Sequence, residues 1–405
     1  MARITVLGGC GTVGSFAVKT LASLDAFSEV VIGDIDAQKA GRLASSIGSK
    51  KVSAQRVDAL NPESIHKSIQ GCDVVLNCTG PFYKFVPTIL RAVIEAAINY
   101  VDVCDDVDVT RDILDMDNAA KRAGITALIG MGSSPGITNL MAKFAADQLL
   151  DEVDSIDIFH AHGGEPTEGE GVIAHRLHCM SIDIPMFLDG QLRYVKFFDP
   201  EGIALQEEVD FYRLGNKIRV YPYPHPEQVT IPNHIKVRRV TNKGTVLPDQ
   251  YYELIKDLCK LGLASKEPLD VKGQKLTPYD FAIAYILAQR EKILKQTRFG
   301  AQRGCVKVVV AGKKKGRPHQ FVFSIASQTQ ALGEGTGVPA AIGAVLMHQG
   351  KIKGKGVLPP EGCVNPADFL DLIRKVLKPE KEGKSFEGVM VESIDEAGNV
   401  EKLYL

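Results

Sequence analysis

Ile4-Thr5-Val6-Leu7-Gly8-Gly9-Cys10-Gly11-Thr12-Val13-Gly14 stands almost at the start of the chain, and its reading decides the fold. A run of strand length ends in Gly9-x-Gly11-x-x-Gly14. Phe16, Val18, Leu21 and Leu24 then recur at helical spacing over 15–24, and Glu29-Val30-Val31-Ile32 forms a second strand that ends at Gly33-Asp34. Strand, glycine loop, helix and strand make one βαβ unit. In such a unit Gly9 permits the tight turn, Gly11 lets a pyrophosphate approach the backbone, and Gly14 lets the helix pack against the strand. The N–H groups at the helix start, around Thr12 and Val13, together with the positive end of the helix dipole, would hold the phosphates. Asp34 is placed to accept hydrogen bonds from the adenosine ribose and to repel a 2′-phosphate, with no arginine directly after it. The expected cofactor is therefore NAD, with NADP as the alternative. The competing reading of Asp34 as a helix cap is weakened by Asp36, which itself looks like the cap.

Outward from this unit the alternation continues. Residues 52–57 read as a strand ending at Asp58-Ala59, where an adenine would lie, and Asn61-Pro62-Glu63 opens a helix. A buried strand over 73–78 runs into Thr79-Gly80-Pro81, and a helix over 86–97 follows. Next come a strand over 99–103, a helix over 109–123 and a sixth strand over 126–129. Strands alternating with helices imply an α/β fold, a Rossmann doubly wound parallel sheet with its ligands at the carboxyl ends of the strands. The loops there are Thr79-Gly80-Pro81-Phe82-Tyr83, Cys104-Asp105-Asp106 and Gly132-Ser133-Ser134-Pro135-Gly136.

From about residue 153 the rhythm changes. Ser155-Ile156-Asp157-Ile158-Phe159-His160 and Gln191-Leu192-Arg193-Tyr194-Val195 read as strands, as do the stretches over 305–312 and 319–327, with long helices over 250–261 and 278–295. Strands that must pair across such separations suggest a mixed or antiparallel sheet in an α+β substrate domain. Lys313-Lys314-Lys315-Gly316-Arg317 reads as a solvated hairpin turn. His160 and His162 alternate on one strand and share a face, and His175, His178 and Cys179 follow. The set reads as cleft lining or half-buried histidines, and no metal site is expected. A helix over 336–350 and a last amphipathic helix through Leu370, Ile373 and Leu377, capped by Asn365, are read as packing elements. The expected division is 1–135, a dinucleotide-binding domain; 136–333, an α+β catalytic and dimerisation domain; and 334–405, a segment packing back on the first domain.

The chain has 405 residues, 45% hydrophobic and 24% charged, the balance of a globular protein rather than a disordered or collagen-like one. A net charge of −1 gives no electrostatic reason for a nucleic-acid or anionic-membrane partner. No apolar run approaches the ~20 residues a membrane helix needs, and no signal peptide is read ahead of the first strand. Eight cysteines without a C-x-x-C pair are expected to be reduced thiols in a cytoplasmic protein.

In these motifs the chain resembles the saccharopine dehydrogenase family over nearly its whole length. The stretches that carry the resemblance are VLGGCGTVG, DVVLNCTGPF, YVDVCDD, IGMGSSPGITNL, HCMSID and GTGVPAAIGAVLMHQGKIKGKGVLPPEG. The resemblance implies a C-terminal segment returning to the first domain, a homodimer, and hydride transfer at the C–N bond of an amino acid or secondary amine. By motif position it also implies that Phe82 and Tyr83 reach the substrate, and that Val103, Cys104 and Asp105 lie beside the nicotinamide. Pro135 and Gly136 would lie at its amide end, with His178 and Ser181 facing the cleft. The chain departs from lysine 6-dehydrogenases at IKVRRVTNKGTVLPD, where Arg238 or Arg239 is the candidate for a substrate carboxylate by a bidentate pair.

C–N chemistry needs an acid/base group within hydrogen-bond reach. Asp105 is the first candidate and His178 the second, with Tyr83 a third; Asp102 and Asp106 could serve or merely cap the turn. Cys104 reads as lining. Two other classes stay open: a dehydrogenase of an opine- or polyamine-type substrate, and a dinucleotide-binding regulatory protein without turnover.

Overall fold

The computed structural model describes residues 2–165, 168–215, 217–327, 332–376 and 388–405. The first sheet collects β1 (Arg3–Leu7), β2 (Glu29–Asp34), β3 (Val52–Arg56), β4 (Val74–Asn77), β5 (Asn99–Asp102) and β6 (Thr126–Leu128). Every pairing is parallel, in the order β6-β5-β4-β1-β2-β3, and the strand Gly356–Leu358 adds a seventh beside β6. This is the Rossmann order, and its direction reverses between β1 and β4, where ligands are bound in such sheets. The connecting helices are α1 (Thr12–Ser23), α2 (Ala37–Ile47), α3 (Pro62–Ile69), α4 (Phe82–Glu95), α5 (Val107–Leu114) and α6 (Asp117–Arg122). Asp36 caps α2 by accepting from the Lys39 N–H, and Asn61 caps α3 from the Glu63 and Ser64 N–H groups.

After α7 (Ile137–Phe144) the chain enters a mixed sheet. Its centre is β7 (Glu152–Gly163), flanked by parallel β12 (Arg239–Leu247) and by the antiparallel hairpin Arg303–Lys314/Arg317–Ser327. Strands β8 (Ile184–Leu188), β9 (Gln191–Val195), β10 (Glu207–Val209) and β11 (Ile218–Pro222) extend the β12 side, and α8 (Glu170–Cys179) packs below them. The hairpin turns on Lys315 and Gly316, both at positive φ, as a tight two-residue connection requires. The helix Gly333–His348 is buried from Gly337 to Met347. Its Ala341 and Leu346 join Val6, Leu76, Ile158 and Phe323 in one core that runs from the first sheet to the second.

Several boundaries differ from the sequence reading. Helix α1 starts at Thr12 rather than at 15, and α4 starts at Phe82, ahead of its internal Pro87, so Phe82 and Tyr83 sit in a first turn rather than in a loop. The helix expected over 109–123 is two, because the chain turns at Asp115 and Met116. The segment after 334 also divides. Its helices and the strand Gly356–Leu358 do return to the first sheet. Strands Met390–Ile394 and Val400–Tyr404 instead pair antiparallel onto the free edge of the hairpin in the second sheet, which offered unpaired backbone groups. Leu377 lies outside the described residues.

Candidate active site

At the end of β1 the glycine loop is packed against itself. A Cβ on Gly14 would lie 2.2 Å from the Gly8 carbonyl oxygen, so only glycine lets α1 sit this close to the turn. The N-cap of α1 is Gly11, which brings no side-chain cap, and the first N–H groups of the helix face outward as an anion seat. Asp34, at the end of β2, accepts from the Cys10 N–H at 3.2 Å and from the Asp36 N–H at 3.2 Å, which ties the carboxylate to the glycine loop. Asp58 ends the neighbouring segment and accepts from the Leu60 N–H, with Ala59 beside it. The cradle, its uncapped helix start and the acid at the β2 end fit the two phosphates and a ribose of a dinucleotide.

From this loop a cavity of about 800 Å³ runs between the two sheets. Gly11–Val13, Gly80–Phe82, Val103, Asp105 and Ser133–Pro135 form the Rossmann side. His160, His162, His175, Tyr223 and His225 face them from the second domain, and Glu334–Thr336 at the start of the buried helix close one end. That helix, read from sequence as packing only, thus also shapes the cavity, because its glycines let it press on α1: a Cβ at Gly337 would meet the Val13 carbonyl at 2.5 Å.

Two polar networks hold the wall in place. Asp102, fully buried at the end of β5, accepts from the Gly130 N–H at 2.7 Å and the Cys104 N–H at 3.1 Å; burial raises its carboxyl to about 6. Next to it, Asp105 enters the cavity. Burial lifts its carboxyl while His175 pulls it down, and the net direction is up. His175 stands between two acids, with Nδ1 2.8 Å from Asp106 and Nε2 3.6 Å from Asp105. Burial would lower its imidazole, but Asp105, Cys179 and Asp106 outweigh it and hold the ring well above its usual range. The result is a half-buried imidazolium oriented by one carboxylate and presented to another at the cavity wall.

The second network lies on the opposite wall. His160 stacks on His225 with ring centres 5.2 Å apart, and Tyr223 meets His160 edge-on at 4.9 Å. Burial and the neighbouring imidazoles of His225, His162 and His175 push His160 well below its usual range, so it is neutral. Glu227 is fully buried; it accepts from Ser134 Oγ at 2.6 Å and Thr138 Oγ1 at 2.9 Å. Burial works against its charge, yet His225 and Ser134 win and keep its carboxyl low. Asn139 carries the network on, accepting from the Gly136 N–H at 2.8 Å and donating to Glu361 at 2.8 Å. Arg176 is held bidentately by Glu168 at 2.7 and 2.9 Å, with both side chains buried.

Of the expected site residues, Gly11, Thr12, Val13, Gly80, Pro81, Phe82, Val103, Asp105, Ser133 and Pro135 line the cavity. Gly9, Gly14 and Gly136 shape its loops, and Thr79 accepts no cavity role, its N–H bonding Asn77. Cys104 is buried behind the wall, its thiol pushed well up by burial and acidic neighbours. His178 points elsewhere: it pairs with Asp108 at 3.0 Å and lies against Tyr83, whose ring also leaves the cavity. His175, one turn earlier on α8, is the histidine of this helix that lines the cavity. Ser181 donates to the Leu177 carbonyl outside the lining. Arg238 is exposed on the approach to β12, and Arg239 pairs with Asp157 at 3.0 Å, so neither reaches the cavity. His225 and Glu227 were missed; the only local signal was Pro224-His225-Pro226-Glu227, a histidine and acid between prolines.

Two family models match. The saccharopine dehydrogenase NADP binding domain covers residues 4–128 and the saccharopine dehydrogenase C-terminal domain covers 132–380. The chain belongs to the saccharopine dehydrogenase family. It is 25% identical over 388 residues to carboxyaminopropylagmatine dehydrogenase of Synechocystis sp., covering 91% of this chain and 94% of that one. It is 25% identical over 426 residues to carboxynorspermidine synthase of Vibrio cholerae, covering 91% and 93%. In fold it is similar to the apo L-Glu-forming saccharopine dehydrogenase from Saccharomyces cerevisiae, with a TM-score of 0.66 and 17% identity over 93% of this chain and 97% of that one. As a saccharopine dehydrogenase family member it is a nicotinamide-dinucleotide-dependent oxidoreductase acting at the C–N bond of an amine or amino-acid substrate. No helix among the described residues is long and apolar enough to cross a membrane.

Proposed function

We propose that this family member is an NAD-preferring dehydrogenase of a polyamine-type secondary amine, with Asp105 as its acid/base group and His175 as the residue that tunes it. The observation that carries the reading is the Asp106–His175–Asp105 array on the cavity wall beside the nicotinamide loops. The polyamine-type substrate is supported by the names of the relatives matched over most of their length. The family model's name points to NADP; Asp34, followed by Ile35 and Asp36, argues for NAD by repelling a 2′-phosphate.

A dinucleotide would be held by the α1 start and Asp34 and would supply hydride exchange at the nicotinamide ring. Asp105 takes the proton from the substrate ammonium, leaving a neutral amine whose lone pair can support loss of hydride from the adjacent carbon. Water adds to the resulting imine, and the same carboxyl returns a proton to the departing amine nitrogen. Overall, ammonium, oxidised dinucleotide and water give a carbonyl compound, a free amine, reduced dinucleotide and two protons. A raised carboxyl beside an imidazolium suits a group that must both accept and return a proton near neutrality. Cytoplasmic residence, on the eight free cysteines, and a homodimer complete the proposal; sedimentation checks the latter.

The test is fluorescence titration with NADH and NADPH, followed by turnover assays with secondary amines made from an amino acid and a diamine. NADH binding at least tenfold tighter than NADPH, with turnover that Asp105→Asn removes, supports the reading. Binding without turnover on any C–N substrate refutes it.

A further inference from the structure

Three histidines of the cavity wall share one construction. His162 Nδ1 lies 2.6 Å from Glu165, His175 Nδ1 lies 2.8 Å from Asp106, and His225 Nδ1 lies 3.3 Å from Glu227. The three backing carboxylates are all buried, at 3%, 2% and 0% exposure. An imidazole has two nitrogens on opposite sides of the ring, so an acid at Nδ1 leaves Nε2 directed away from that acid. For His175 that far side meets Asp105. For His162 and His225, Nε2 has no protein partner among the described residues.

Three groups face His225 Nδ1: Ser134 Oγ and Asn242 Nδ2, each 3.2 Å away, and Glu227 Oε2 at 3.3 Å. Ser134 gives its hydroxyl proton to Glu227, so toward His225 Nδ1, 3.2 Å away, it can only accept. With Nδ1 engaged on this side, Nε2 on the far side of the ring is the nitrogen left for a ligand. The buried carboxylates thus lie behind the rings, and the Nε2 edge on the other side can donate to an anion in the cavity. At the other side Asp105 attracts a cation. Arginine, the usual partner of a carboxylate, is not free for this task on the described wall: Arg176 is consumed by Glu168 and Tyr251, and Arg238 lies outside.

We propose that His225 and His162 seat a carboxylate of the substrate, so that the cavity reads an amino-acid moiety by imidazoles backed with buried acids. The proposal rests on the amine-dehydrogenase reading and adds which groups select its substrate. It also separates substrate from simple diamines of the same length, which would satisfy Asp105 but leave the imidazole wall without an anion.

Binding to the NADH-saturated protein is measured by calorimetry with two probe pairs, L-2,4-diaminobutyrate against 1,3-diaminopropane and L-lysine against cadaverine. Each pair differs by one carboxylate. The wild-type protein is expected to prefer the acid in at least one pair by roughly tenfold or more, the scale of a hydrogen bond to a charged group. His225→Gln and His162→Gln should each erase most of that preference while NADH affinity and melting temperature stay within their wild-type range; if one variant does not fold, the other decides. No preference in the wild type, binding of neither member of either pair, or a preference untouched by the variants overturns the proposal. Failure of the wild type to bind NADH is a separate result that overturns the dehydrogenase reading and the seat with it.

Discussion

Glu361→Gln should stabilise this protein in neutral solution and do nothing for it in acid. Glu361 is 1% exposed, accepts from Asn139 at 2.8 Å, and has one carboxyl oxygen without a partner. Burial, with Glu227 nearby adding repulsion, raises its carboxyl from 4.5 to about 7. Folding therefore favours the protonated form: between those two values the native state holds more protons than the unfolded chain, and stability falls as pH rises through the window. Above it the full cost is in place, about 3 kcal/mol at 1.36 kcal/mol per decade. Glutamine keeps the acceptor for Asn139 and replaces the protonated oxygen by an NH₂ that never ionises. Urea unfolding of both proteins from pH 4.5 to 8 should give curves that coincide at the acid end and diverge by up to about 3 kcal/mol at the other. Parallel curves across the range would show that Glu361 is charged in the fold and would refute this account of the Asn139 network.

Asp105→Asn should lower kcat by roughly 10²–10⁴-fold with NADH affinity within twofold, read by steady-state kinetics beside fluorescence titration. The same substitution removes an anion from His175, whose raised imidazole should then titrate at lower pH, so the alkaline limb of the rate profile moves toward acid. Gly14→Ala, whose added carbon would sit 2.2 Å from the Gly8 oxygen, should abolish dinucleotide binding, and retained binding would mean the loop can open. Arg176→Met should destabilise by about 3–5 kcal/mol by leaving Glu168 buried beside fewer cations, seen in denaturant midpoints. Arg238→Ala should leave substrate KM unchanged, since its side chain is outside the cavity.

The first sheet was legible because parallel strands buried on both faces appear as unbroken apolar runs, such as Val74–Asn77 leading into a glycine turn. The interior strand β12 was not, because its buried positions include Thr241, Asn242 and Lys243, polar groups whose partners, such as Asp157 and Glu207, are distant in sequence. The cofactor loop is local chemistry and could be read from spacing alone. Asp105 was accessible in the same way, as an acid just past a strand end. The choice of His175 over His178 is decided by tertiary partners, Asp105 and Asp106 for the one and Asp108 for the other, which two histidines one turn apart do not encode. His225 lies in an irregular stretch with no periodicity to read, and its partners Ser134 and Asn242 are 91 and 17 residues away.

The strand Gly356–Leu358 has a consequence for how the chain reaches this state. Strand β6 has its second neighbour only when residues more than 200 positions later arrive, bringing the Val357 N–H to Asp117 and the Gly354 carbonyl to Thr126. A nascent chain that has released the whole dinucleotide domain still carries an open, apolar sheet edge, available to any other extended segment. Domain-by-domain folding during synthesis is therefore blocked at its last step, and a fragment ending near residue 135 should associate through that edge rather than remain a monomeric cofactor binder. The pairing that ties the end of the chain to its beginning makes the cofactor domain a product of the entire polypeptide.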